Sequence, residues 1–232
     1  MCTNTQVNMI NADVLNMKKC EAHFISHPPE IDLGFFEKNV AVNAPPLLID
    51  NLLWSENGYK PQVSFKIAHT ENSIILKYHV RESHLRAVVR ETNGPVFKDS
   101  CVEFFISPDS NNYYYNFEFN CLGIALVGYG SGKEKRVYID SRLIDKISTY
   151  QIVHNSAQNK TSLIEWELVV NIPFEIFAYH QVTSLKDVVC TANFYKCGDD
   201  LPEPHFLSWN PVNHPNPDFH LPAFFGQIHF TG

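Results

Sequence analysis

Apolar and polar residues alternate with a period of two along most of the chain beyond residue 60. Gln62 to His69 places Val63, Phe65 and Ile67 on one side. Ser73 to Arg81 places Ile74, Leu76, Tyr78 and Val80 on one side, opposite Ile75, Lys77, His79 and Arg81. In Ser100 to Ser107, Val102, Phe104 and Ile106 alternate with Cys101, Glu103 and Phe105. The clearest run is Tyr113 to Asn120, with Tyr113, Tyr115, Phe117 and Phe119 on one face and Tyr114, Asn116, Glu118 and Asn120 on the other. Leu122 to Tyr129 follows a turn at Gly123, which predicts a hairpin. Ile147–His154, Ser162–Val170, Val188–Cys197 and Phe225–Phe230 read as further strands. This period means that one face of each strand is buried and the other polar.

Many short strands of this kind predict two antiparallel sheets packed face to face, an all-β sandwich of immunoglobulin or DOMON type. Pro173 to His180 opens with proline where a first helical residue would stand and reads as one short helix. Residues 1–38 carry no such pattern and read as an irregular arm broken at Pro28-Pro29, leaving 39–232 as the sandwich domain. Pro202 to Pro222, rich in proline and histidine, reads as a long loop before the last strand. Loops of that length in compact domains are often functional.

Composition agrees: hydrophobic residues make up 44% and aromatics 13%, with 17 Phe and 10 Tyr, residues that suit pleated, half-buried surfaces. The net charge is −7, and the one basic run, Lys133-Glu134-Lys135-Arg136, reads as a hairpin tip, so nucleic acid is not an expected partner. No segment reaches the ~20 apolar residues of a membrane span, and Met1 to Ile25 has no apolar leader core. The expected location is therefore cytoplasmic as written, or periplasmic or secreted if a leader is missing. The six cysteines form no CxxC pair, and Cys101 and Cys121 are expected on opposite faces. They read as mostly free thiols.

Three groups of residues could carry chemistry. Lys77, His79, Arg81, Glu103, Asn116, Glu118, Asn120, Glu165 and Glu167 could share one sheet surface if their strands are neighbours. Asn, Glu and Arg supply the fixed donors and acceptors that sugar hydroxyls need; the plainer account is a sheet that wets one face. Trp54, Phe97 and Trp209 lie in turn-like contexts, and an aromatic ring on a pyranose C–H face gains about 1 kcal/mol. For Trp54 and Trp166 core packing is the expectation; Trp209, in a Pro- and Asn-rich loop, is an even choice between core and ligand. His205, His214 and His220 stand near Asp199, Asp200 and Asp218, but at no compact ligand spacing. No cofactor is expected, with a structural calcium on loop oxygens left open. No nucleophile motif or phosphate loop is present, and Glu103 with Glu118 is an unspecific carboxylate pair.

Asp99-Ser100-Cys101-Val102-Glu103-Phe104-Phe105, then Tyr115-Asn116-Phe117-Glu118-Phe119-Asn120 and Gly123, resembles the central signature of family 9-like carbohydrate-binding modules. Ala192–Lys196, Ser208-Trp209-Asn210-Pro211 and Phe219 through Ile228 resemble the family's penultimate strand, closing loop and last strand. The likeness covers roughly residues 40 to 230. It implies a β-sandwich that grips a terminal sugar between two aromatic rings, in the service of polysaccharide breakdown by associated glycoside hydrolases. It nominates Phe97, where the family more usually has Trp, and Trp209 as the clamp, with Glu103, Asn116 and Glu118 as polar contacts. No catalytic residue is implied.

Besides a pure interaction domain, two other classes stay open on the residues alone. One is an enzyme acting on O-glycosyl bonds through two carboxylates. The other is a DOMON-type sandwich with a different ligand; the methionines are confined to Met1, Met9 and Met17, which counts against a Met-ligated haem.

Overall fold

The computed structural model describes residues 17–26, 45–154 and 163–232. The strands are β1 (Lys19–Phe24), β2 (Leu47–Leu48), β3 (Asn51–Leu53), β4 (Gln62–His69), β5 (Ser73–Glu82), β6 (Cys101–Ser107) and β7 (Tyr114–Asn120). They continue as β8 (Ala125–Gly130), β9 (Arg136–Tyr138), β10 (Ser148–His154), β11 (Ile164–Pro173), β12 (Val188–Cys197), β13 (Phe206–Ser208) and β14 (Gly226–Thr231). Among the described residues, helix is limited to the one-turn α1 (Ser141–Ile144) and four 3-10 turns, 8% in all.

Hydrogen bonding runs continuously in the order β10-β11-β5-β4-β1-β14-β12-β6-β7-β8-β9. The sheet curls until its two ends face each other as the layers of a sandwich. Contacts across the interior show this: Phe65 of β4 stacks on Phe194 of β12 at 3.7 Å, and the Tyr78 hydroxyl of β5 donates to the Glu103 carbonyl of β6 at 3.3 Å. The apolar parity of each strand fills the space between. Ile74, Leu76, Tyr78 and Val80 meet Val102, Phe104, Ile106, Phe117 and Phe194 there. Each such side chain contributes roughly 1.5–3 kcal/mol by leaving water.

The sheet is mixed rather than purely antiparallel, and β1 is the reason. It lies within the stretch read as an irregular arm, yet pairs in parallel with both β14 and β4. Its buried residue is only Ala22, so the alternation that marks the other strands is faint. Cys2, Pro28-Pro29 and residues 27–44 lie outside the described residues. The expected helix after Pro173 is a single 3-10 turn, Phe174–Ile176, because Pro173 ends β11 instead of opening a helix. The long tail also contains β13, which bridges β12 and β3.

The polar faces do not form one surface. Lys77 and His79 of β5 pair with Glu167 and Glu165 of β11, both at 2.6 Å, on the outer face of one layer. Glu103, Asn116 and Glu118 belong to the outer face of the other, and that face is covered. The tail and the segment around Val96 fold over it and enclose a second apolar cluster with Cys101, Phe105, Tyr114, Tyr195 and Cys197. Glu103, Asn116 and Glu118 are therefore buried, where alternation alone makes them wet.

Candidate functional site

Two signature residues build the frame rather than the site. Asp99 is fully buried and accepts from the backbone N–H groups of Val88 and Val89, both at 2.9 Å, and from Asn120 Nδ2 at 3.0 Å. Asn120 Oδ1 in turn accepts from Leu122 N and Ile124 N at 3.1 Å, closing the turn in which Gly123 adopts φ +78°. A Cβ there would stand 2.4 Å from Thr149 Oγ1, so glycine is required twice over. This lattice ties the 86–98 segment to β7 and fixes the 3-10 turn Val96–Lys98, which carries Phe97.

Phe97, Glu103 and Glu118 line one cleft of about 190 Å³. Such a space suits a small ligand better than a long chain laid along a groove. Its other aromatic walls are Trp54, Phe206 and Phe219. Trp54 takes the left-handed conformation, φ +48°, which a bulky residue adopts only where its surroundings enforce it. Its indole N–H donates to the His214 carbonyl at 2.6 Å, and its ring lies 5.7 Å from that of Phe219.

Glu103 of β6 and Glu118 of β7 are direct cross-strand partners. Burial pushes the Glu103 carboxyl well above the usual range, and the neighbouring Glu118 charge pushes the same way. Burial also raises Glu118, but Arg136 at 3.1 Å and Asn116 at 2.9 Å oppose the shift. One buried charge is thus matched by one guanidinium, and Glu103 is the partner that keeps its proton. Arg136 reaches inward across bare backbone: a Cβ at Gly128 would lie 2.6 Å from Asn116 Oδ1 and 3.2 Å from Arg136 Cδ.

Arg136 also donates to His220 Nε2 at 3.2 Å, which leaves the His220 Nδ1 proton for the Tyr114 hydroxyl at 2.9 Å. Burial and the Arg136 charge lower His220 to about 3, so it is neutral. Asp199 is raised to about 6 by burial and then by Asp200. With Asp218 and Lys133 at its rim, the cleft offers fixed donors and acceptors around ring-shaped apolar walls.

Asn116 supports this site from beneath through its bond to Glu118. Trp209 does not join it. That ring is 2% exposed, edge-on to Phe65 at 6.0 Å and Phe194 at 5.7 Å, and a Cβ on Gly226 would meet it at 2.5 Å. It is a core residue; its neighbour Asn210 explains the loop, since Asn193 Oδ1 accepts from Asn210 N at 2.8 Å and Asn210 Nδ2 donates to the Phe224 carbonyl at 2.8 Å. Trp54, expected in the core, lines the cleft instead. Lys133-Glu134-Lys135-Arg136 is a hairpin tip as read, but Arg136 folds back into the site. The tail histidines do not converge: His205 is buried against Lys196 at 2.8 Å, and His214 turns back on Asn216 at 2.8 Å.

The model of the family "carbohydrate-binding family 9" matches residues 37–230. A candidate carbohydrate-binding protein from Bacteroides uniformis is 36% identical, superposes with a TM-score of 0.82, and the match covers 92% of this chain and 99% of that one. A family 9 carbohydrate-binding module from Caldicellulosiruptor kristjanssonii, solved in complex with glucose, shares the fold with a TM-score of 0.60 at 11% identity, covering 93% of this chain and 96% of its own. The cellotriose complex of a family 9 module from that organism gives a TM-score of 0.60 at 12% identity, with 93% and 94% covered. No curated protein matches the sequence.

Proposed function

Since the chain belongs to carbohydrate-binding family 9, we propose that it holds a terminal sugar unit, uncleaved, in the cleft lined by Trp54 and Phe97, with Glu103 and Glu118 at its polar end. The observation that carries this reading is the joining of aromatic walls and buried, oriented polar groups in one small cleft. Ring faces remove pyranose C–H surface from water, at about 1 kcal/mol each. Protonated Glu103 can donate to a hydroxyl, while Asp199 and Asp218 accept. Glucose and cellotriose, bound by the structural neighbours, are the first ligands to try.

The Glu103–Glu118 pair favours one rival, glycoside hydrolysis, because split environments suit one carboxyl as acid and the other as base. Against it, Glu118 is already held by Arg136 and Asn116. Incubation with a bound oligosaccharide decides: the ligand is expected to be recovered intact after prolonged contact. Reducing ends that accumulate with time, and vanish in Glu103→Gln or Glu118→Gln, would replace binding by catalysis.

A further inference from the structure

Directly beneath the cleft, Cys197 of β12 is the cross-strand partner of Cys101 of β6, and Glu103 stands two residues along β6 on the same face. One ligand atom from each, two Sγ and a carboxylate oxygen, lies within 4.8 Å of the others. Cys197 Sγ is 3.0 Å from Glu103 Oε1. All three side chains are nearly or wholly buried, with 0% of Cys101, 1% of Cys197 and 3% of Glu103 exposed, yet Cys197 and Glu103 line the cleft and so give an ion a way in. A second observation points to the same place. Glu118, paired across the strands with Glu103, keeps its Oε2 buried and without a hydrogen-bond partner.

We propose that Cys101, Cys197 and Glu103 form a binding site for a thiophilic divalent cation such as zinc, which competes with the sugar for Glu103. The donor set decides the class of ion, since two thiolates select zinc or cadmium over calcium or magnesium. Ligand atoms around zinc at 2.0–2.3 Å stand somewhat less than 4 Å apart, so the cluster needs only side-chain adjustment to close. The side facing the cleft remains for the Glu118 carboxylate or water. Burial holds the Cys101 thiol up at about 12 and Cys197 well above its usual value, which keeps both as thiols until a cation supplies the missing counter-charge. Binding M²⁺ then releases one proton from each sulfur, and from Glu103 where it carries one, so affinity rises with pH.

The competition, though not the ion site, rests on the sugar reading above. Cadmium is titrated into the whole protein in a non-thiol reductant, following thiolate-to-metal charge-transfer absorption. One equivalent is expected to saturate the signal, Cys190→Ser to keep it, and Cys101→Ser to abolish it. Glu103→Gln, close in shape to the native side chain, is expected to weaken the ion at least tenfold and serves if Cys101→Ser does not fold. No charge-transfer band, or an unchanged one in Glu103→Gln, overturns the site. Zinc is then compared with a chelator during sugar titration, with at least tenfold weaker sugar binding expected in zinc. Equal sugar affinity in both overturns the competition; sugar binding absent even in chelator overturns the functional reading and leaves the ion site standing.

Discussion

Trp209 and His220 both face inward from the tail, and each has a measurable consequence. Truncating Trp209 to alanine opens a large void against Phe65, Phe194 and Gly226. The expected loss is about 3–5 kcal/mol of stability, read by denaturant or thermal melting; a loss under 1 kcal/mol would place the ring outside the core. His220 is surrounded by Tyr114, Arg136, Lys133 and Asp218 and titrates at about 3 in the folded state, against 6.5 for an ordinary histidine. Below 6.5 the unfolded chain takes up a proton that the fold refuses, so stability falls as pH drops from about 6.5 towards 3. Glu103 works in the opposite sense, since its raised pKa removes stability as pH rises. A His220→Gln variant isolates the histidine: its melting temperature is expected to fall less than wild type's between pH 7 and pH 4. Superimposed curves would refute the buried, neutral assignment.

At the scale of elements, β1 carries the most consequence for its length. It supplies the parallel ladder that joins β14 to β4 and so closes one layer of the sandwich onto the other. Ala22 is its fully buried contribution. An unpaired carboxylate there, in Ala22→Asp, is expected to destabilise by at least about 3 kcal/mol or to prevent folding, whereas Lys19→Ala on the exposed side is expected to change melting by little. Equal and small effects would mean that β1 is not part of the folded sheet. This strand also shows where alternation stops being legible. Gln62–His69 was readable to the residue because large apolar side chains, Val63, Phe65 and Ile67, occupy every second position. Lys19–Phe24 has only cysteine, alanine and a half-exposed phenylalanine in those places.

For the whole molecule, the sandwich was legible because its inner face repeats strand after strand, while the site was legible only in part. Phe97, Glu103 and Glu118 follow from a signature carried by adjacent paired strands and a turn fixed by Asp99 and Asn120. Which ring faces them depends on how the tail packs, and period-two reading carries no information about that. Trp209 goes into the core because Gly226 leaves a space for it, and Trp54 comes to the cleft because the tail carbonyl of His214 accepts a hydrogen bond from its indole N–H. The positive φ of Trp54 and the inward turn of Arg136 over Gly128 likewise have no local sequence signal. The central claim is that this cleft, with Phe97 in its wall, is where a sugar binds. It is tested most directly by calorimetric titration of wild type and Phe97→Ala, in chelator, with the tightest binder among neutral oligosaccharides that include cellotriose. The account predicts saturable binding to wild type, weakened about fivefold in Phe97→Ala, or about 1 kcal/mol, with a melting temperature shifted by only a few degrees. Undiminished affinity in Phe97→Ala, or no binding of any sugar to wild type, would contradict it.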